Sequence, residues 1–197
     1  MKQLALAMIN YADDHNGRLP PAVVYGEDGQ PLHSWRVLIL PYMEQQELYD
    51  QFKLDEPWDS PHNVALLEKM PATYAPPPGK ISKVPAYHTV CHVFVGRGAA
   101  FEDQEGLRFP AEFTDGTSQT ILVIEAGEPV PWTKPQDLTY DPVQPLPELR
   151  GLFKDGFRVA MADGSMKWVK RSTPEATLRA AITRDGSDQP PPPPVDW

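Results

Sequence analysis

Apolar residues over the first fifteen positions recur at helical spacing. Leu4, Met8, Tyr11 and Ala12 fall on one stripe, which Leu6 and Ile9 widen, so the pattern predicts an amphipathic helix over 1–15. Asn16-Gly17 supplies a left-handed stop, and Pro20-Pro21 blocks resumption. Met1-Lys2-Gln3 runs into the stripe without a capping side chain, which reads as the remainder of a longer helix. Ala22 to Tyr25 is β-prone and precedes a Glu27-Asp28-Gly29 turn. Ser34 caps a second predicted helix over Trp35–Phe52, broken or kinked at Pro41, and Asp59-Ser60-Pro61 opens a short third helix through Leu67.

The period then changes from helix to strand. Residues 71–86 are Pro-rich and irregular. Tyr87–Val95 and Gln119–Glu125 carry the aromatic and β-branched runs of strands. Phe157–Ala162 and Met166–Lys170 flank Asp163-Gly164, a hairpin signal. Residues 126–150 hold six prolines and are expected to wander over the surface. Thr173-Pro174-Glu175 opens a last helix to Ile182, which Asp185-Gly186 stops. Helices first, then antiparallel strands joined by long Pro-rich loops, give an α+β outline. The expected organisation is one domain over 1–186 with a Pro-rich tail over 187–197.

Composition sharpens this picture. Proline accounts for 24 of 197 residues against a typical ~5%, which disfavours a helix bundle. Eighteen basic and 27 acidic residues leave a net charge of −9, and no basic stripe offsets it, so nucleic acid is a poor partner. No stretch reaches the ~18 apolar residues that cross a membrane. With a single cysteine, Cys91, an intramolecular disulfide is impossible, and its apolar surroundings read as a buried thiol.

Candidate chemistry is sparse. His88 and His92 share one face of a strand and Cys91 the other, which defeats a three-ligand site. Asp115-Gly116-Thr117-Ser118 and Asp163-Gly164-Ser165 read as β-turns. The alternative is a calcium loop using Asp115 and Asp163, without the EF-hand spacing. Ser118 and Ser165 lack a nucleophile elbow, and Gly96-Arg97-Gly98 lacks the third glycine of a dinucleotide loop. No catalytic constellation emerges, so an enzyme is not expected. The segment Leu54–Asn63 is dense in functional side chains. Asp55, Trp58, Asp59 and His62, with Trp132, are candidate residues for binding a sugar or peptide. The same segment reads more simply as a structural corner, Trp58 packing on the core and Asp59 or Ser60 capping the next helix.

Several long stretches resemble one known family. They include Lys2–Met8 with Asn10-Tyr11, Leu19–Ala22, Ser34–Gln45, Leu54–Asn63, Asp115–Ser118, Pro131–Pro135 and Ala162–Ser165. Together they resemble the DUF1559 family, abundant in planctomycete bacteria and labelled solute-binding-like. Many members begin with a prepilin-like leader and a long apolar helix. The resemblance therefore implies a pseudopilin-like fold, a long N-terminal helix on a small antiparallel sheet, with the leader and apolar half-helix missing here. It further implies an extracytoplasmic subunit, periplasmic or at the cell surface, anchored through that helix and assembling with itself or with related pilin-like subunits. A cytoplasmic home follows instead if Met1 is the native start. Many members carry a histidine where this chain has Phe153, so no role attached to it transfers. The resemblance brings no catalytic residue and no cofactor.

Overall fold

The computed structural model describes residues 1–77, 79, 84–102 and 105–186. The proposed tail over 187–197 lies outside the described residues. Helix α1 spans Lys2–Asp14. It ends as the stripe predicted, with Asn16 and Gly17 at φ 56° and 76°. Strands β1 (Val23–Tyr25) and β2 (Pro31–Ser34) pair as an antiparallel hairpin. The sequence pattern predicts only the first of these strands.

The single helix expected over Trp35–Phe52 is three short pieces. These are α2 (Trp35–Leu38), a 3₁₀ turn at Pro41–Met43 and α3 (Gln46–Tyr49). Ser34 caps α2 as expected, its hydroxyl accepting from the Arg36 amide at 3.2 Å. Pro41 has no N–H to continue the ladder, and Glu44 at φ 60° turns the chain away. The third helix is 3₁₀, over Asn63–Lys69, and a further 3₁₀ turn covers Ala72–Tyr74.

The strand expected over Tyr87–Val95 is divided into β3 (His88–His92) and β4 (Phe94–Val95). Val93 gives its amide to the Asp137 carboxylate at 3.0 Å, which interrupts the ladder. Strand β5 runs over Ile121–Pro131, beyond the Glu125 boundary and into the segment expected to wander. Strand β6 (Leu138–Thr139) pairs parallel with β4. Strands β7 (Gly156–Met161) and β8 (Met166–Lys170) form the hairpin foreseen at Asp163-Gly164. Helix α4 covers Glu175–Ile182.

The main sheet is antiparallel, in the order β3-β5-β7-β8. A register shift between Ile121 and Val123 breaks strict alternation, as a bulge does. Leu122 and Val123 consequently both join the core beneath α1, while Ile121 and Ile124 face the other way. Helix α1 packs on β5 and β7, burying Leu4, Ala5, Ala7, Met8 and Ala12. Phe157, Val159 and Val169 on the opposite face meet Ala181 and Ile182 of α4. The architecture is mixed α+β, a small antiparallel sheet with few helices on its faces.

Candidate functional site

The loop singled out by the sequence closes on itself. Phe52 is buried and the chain then turns back around Asn63, which is wholly buried. Asn63 Nδ2 faces the carbonyls of Lys53, Glu56 and Pro57 at 2.9, 3.1 and 3.0 Å. Its Oδ1 accepts from the Lys53 amide at 3.1 Å. Two amide hydrogens shared among three carbonyls make Asn63 the knot of the loop. The Asn63 amide in turn donates to Ser60 Oγ at 3.1 Å. The Trp58 amide ties the loop to β2 through the Leu32 carbonyl at 2.8 Å.

Around this knot the five candidate binding residues separate. Asp55, Asp59 and His62 are exposed, and a His62 ring nitrogen sits 2.8 Å from the Gln51 carbonyl. Trp58 is half-buried, with Lys134 Nζ 5.8 Å from its ring centre. Trp132 is enclosed, stacked on Tyr74 at 5.6 Å and edge-on to Phe52 at 5.9 Å, and its Nε1 donates to the Leu67 carbonyl at 3.1 Å. A shallow cavity of about 220 Å³ lies elsewhere, lined by Val84, Val90, Gly127, Glu128, Arg150 and Leu152 among others.

His33 on β2 lies beneath the loop, 1% exposed, and neither ring nitrogen makes a hydrogen bond. Burial lowers its pKa, against the opposing pull of the Lys53, Leu54 and Glu56 carbonyls and the Asp55 carboxylate.

The two Asp-Gly loops lie side by side at one end of the sheet, the Asp163 amide donating to the Thr117 carbonyl at 3.0 Å. Each carboxylate already holds a backbone amide. Asp115 Oδ2 accepts from Gly186 and Asp163 Oδ1 from Ser165, both at 2.8 Å. Burial pushes the Asp163 carboxyl up, but the Ser165 hydroxyl and amide and the Lys167 charge outweigh it and hold it below its ordinary value. Among the described residues, no three side chains of His, Cys, Asp or Glu gather as a metal set.

The sequence reading missed a buried ion pair. Arg36 on α2 and Asp137, between β5 and β6, have side chains 0% and 1% exposed. Arg36 Nη2 meets Asp137 Oδ1 at 2.6 Å and Nη1 meets Oδ2 at 3.3 Å. Arg36 also donates to the Cys91 carbonyl through Nε and Nη2, at 3.0 and 2.7 Å. Asp137 accepts from Trp35 Nε1 and from the Val93 amide. An arginine inside an apolar run, Trp35-Arg36-Val37-Leu38, was the available signal. Such a group needs a carboxylate partner when buried.

Residues 1–91 match the model of a family described as a protein of unknown function, DUF1559. This stretch, a little under half of the chain, is similar to DUF1559. No curated protein and no solved structure matches the chain. The matched stretch holds α1, the β1–β2 hairpin, α2 and α3, and it ends at Cys91 within β3. The Asp-Gly loops and the Pro131–Pro135 stretch, which shared in the resemblance, lie beyond the matched residues. The Arg36–Asp137 pair joins the matched stretch to the part of the chain that follows it. Among the described residues, no helix is long and apolar enough to cross a membrane.

A second feature escaped the sequence reading. On the sheet face that carries α1, β8 leaves Met166 and Trp168 each 39% exposed. Trp168 lies over Gly156, where a Cβ would come within 2.8 Å of the indole, and it meets Phe153 edge-on at 5.3 Å. Its register partner Arg158 forms two 2.6 Å hydrogen bonds to buried Glu125 of β5. The ring is thus held rigidly in a half-exposed position. The signal was the alternation Met166-Lys167-Trp168-Val169-Lys170, which puts two large apolar side chains on the face opposite Val169.

Proposed function

We propose that the chain is a non-enzymatic, extracytoplasmic structural subunit of pilin-like or pseudopilin-like kind, serving assembly or secretion. The observation that supports this reading is the placement of α1. Met1, immediately before the helix, lies at β3, its Sδ 3.7 Å from Cys91 Sγ. Leu6 abuts the β7–β8 turn at Gly164. The helix therefore crosses the face of the antiparallel sheet, apolar stripe inward. The stretch that matches DUF1559 opens on the same helix. The solute-binding alternative gains nothing from the candidate residues, since Trp132 is enclosed and Asp55, Asp59 and His62 stand on the outside of a loop whose centre Asn63 fills.

The test is made on native cells, by membrane fractionation followed by mass-spectrometric mapping of the N-terminus. The proposal expects a membrane-associated form with an apolar helix ahead of Lys2. A protein in the soluble cytosolic fraction that begins at Met1 contradicts it.

A further inference from the structure

The two flanks of α1 differ in chemistry. Leu6, 42% exposed, lies against the β7–β8 turn at Gly164. Tyr11 stands edge-on to Tyr42 of the Pro41–Met43 turn at 5.7 Å. These positions are five residues apart, about 140° around a helix of 3.6 residues per turn. The flanks therefore look in different directions.

The flank beside β8 is apolar and cationic. Leu6, Met166 and Trp168 are the exposed apolar side chains. Beside them, Lys154, Lys170 and Arg171 are exposed and have no carboxylate partner among the described residues. This is notable in a chain with 27 acidic residues and 18 basic ones. Arg171 spends its side-chain hydrogen bonds on the carbonyls of Leu149, Phe153 and Lys154, and exposed Asp155, whose carbonyl accepts from the Arg171 amide at 3.0 Å, is the one acidic residue between Lys154 and that arginine.

The other flank is aromatic and anionic. Tyr11, Tyr42 and Tyr49 are half-buried, His15 stacks on the Tyr11 ring at 3.7 Å, and Asp14, Glu47 and Asp50 around them are exposed. Burial, then the Asp14 carboxylate and the neighbouring tyrosines, push the Tyr42 phenol up to about 12. These three carboxylates form no ion pair among the described residues. Tyrosine faces beside carboxylates suit lysine and arginine side chains, which they attract through charge and ring quadrupole together.

We propose that these two surfaces dock on each other between copies of this chain, the Trp168–Lys170 face of one copy meeting the Tyr11–Tyr42–Tyr49 face of the next. The proposal rests on the structural-subunit reading above and names the contact that such a subunit would use. Charge complementarity selects the occupant, since three exposed cations without a carboxylate partner among the described residues lie beside Trp168, and three exposed carboxylates without an ion pair surround the tyrosines. A contact between two different surfaces is heterologous, so it builds a ring or an open chain of copies rather than a two-fold dimer. Lys167 and Lys170 on β8 also oppose strand-to-strand pairing of two β8 edges, which favours contact through the face.

The experiment is sedimentation velocity of the purified chain at about 20 mM and about 500 mM salt, which brackets strong and weak screening. Wild type is expected to associate beyond the dimer at low salt and to dissociate at high salt. Lys170→Glu and Asp50→Lys should each weaken association at least about tenfold. The double variant, whose reversed charges again complement each other, should restore it. Lys154→Glu serves as a second donor-face variant, and near-UV circular dichroism confirms the fold of each. A monomer under all conditions overturns the proposal. So does association that stops at a dimer, or association indifferent to both charge reversals. None of these results bears on whether the native protein is membrane-anchored, which the fractionation decides separately.

Discussion

The Lys53–Asn63 loop and the β7–β8 hairpin are both rich in aromatic and charged side chains, and they use them in opposite ways. In the loop the buried polar groups are consumed internally, while Asp55, Asp59 and His62 stay on the outside. Asn63 takes up three carbonyls and an amide, Lys53 pairs with Glu56 at 2.9 Å, and Lys134 from the neighbouring segment sits over Trp58. That same segment sends Trp132 into the core and Asp137 to Arg36. In the hairpin, Trp168 is fixed by Gly156 and Phe153 but remains half-exposed, and Lys170 has no carboxylate partner among the described residues. A surface available for binding is what remains after the fold has satisfied its own groups, and density of functional residue types does not measure it.

The sharpest way to break this comparison is to attack the closed side at its anchor. Asp137→Ala leaves the Arg36 guanidinium buried without its carboxylate, and should cost about 3–5 kcal/mol, read from urea unfolding. A loss below about 1 kcal/mol would show that the pair is not an anchor. Asn63→Ala strips the loop of its knot and should cost about 2 kcal/mol, the scale of leaving buried backbone groups unsatisfied. Limited proteolysis should then cut within 53–57 faster than in the wild type.

His33 tests the closed side by pH. Burial lowers its folded pKa below the ordinary 6.5, so below that pH the unfolded chain binds more protons than the folded one. Stability is then lost as pH falls from 6.5 through the folded pKa. His33→Gln should remove this part of the acid loss, and an unchanged pH profile would contradict the assignment. On the open side the expected effect on stability is smallest. Trp168→Ala should change the unfolding free energy by less than about 1 kcal/mol while weakening self-association.

Periodicity and punctuation made the regular elements legible. The α1 stripe, its Asn16-Gly17 stop, the Ser34 cap and the Asp163-Gly164 hairpin all depend on contacts within a few residues. Where tertiary partners decide, local pattern failed. Val93 reads as mid-strand, yet its amide goes to Asp137, 44 residues away. The proline-bearing stretch after Glu125 reads as loop, yet Thr89 and Val130 pair across β3 and β5. The same limit governed the candidate residues. Nothing near Trp132 in sequence announces that Phe52 and Tyr74 will enclose it, and nothing near Arg36 announces Asp137. The Trp168 face was more accessible, because alternation along one strand already places its side chains opposite Val169.

The central claim is that the hairpin face of one copy meets the tyrosine face of the next, and disulfide trapping addresses it most directly. A double variant, Lys170→Cys with Gln46→Cys, places one thiol on each face, Gln46 being hydrogen-bonded to Asp50 at 2.7 Å. Cys91 stays silent because it is buried, with burial pushing its thiol pKa up. Mild oxidation at low salt should yield a ladder of covalent oligomers from the double variant and none beyond the dimer from either single variant. A double variant that remains monomeric, or that gives only dimers, would contradict the account.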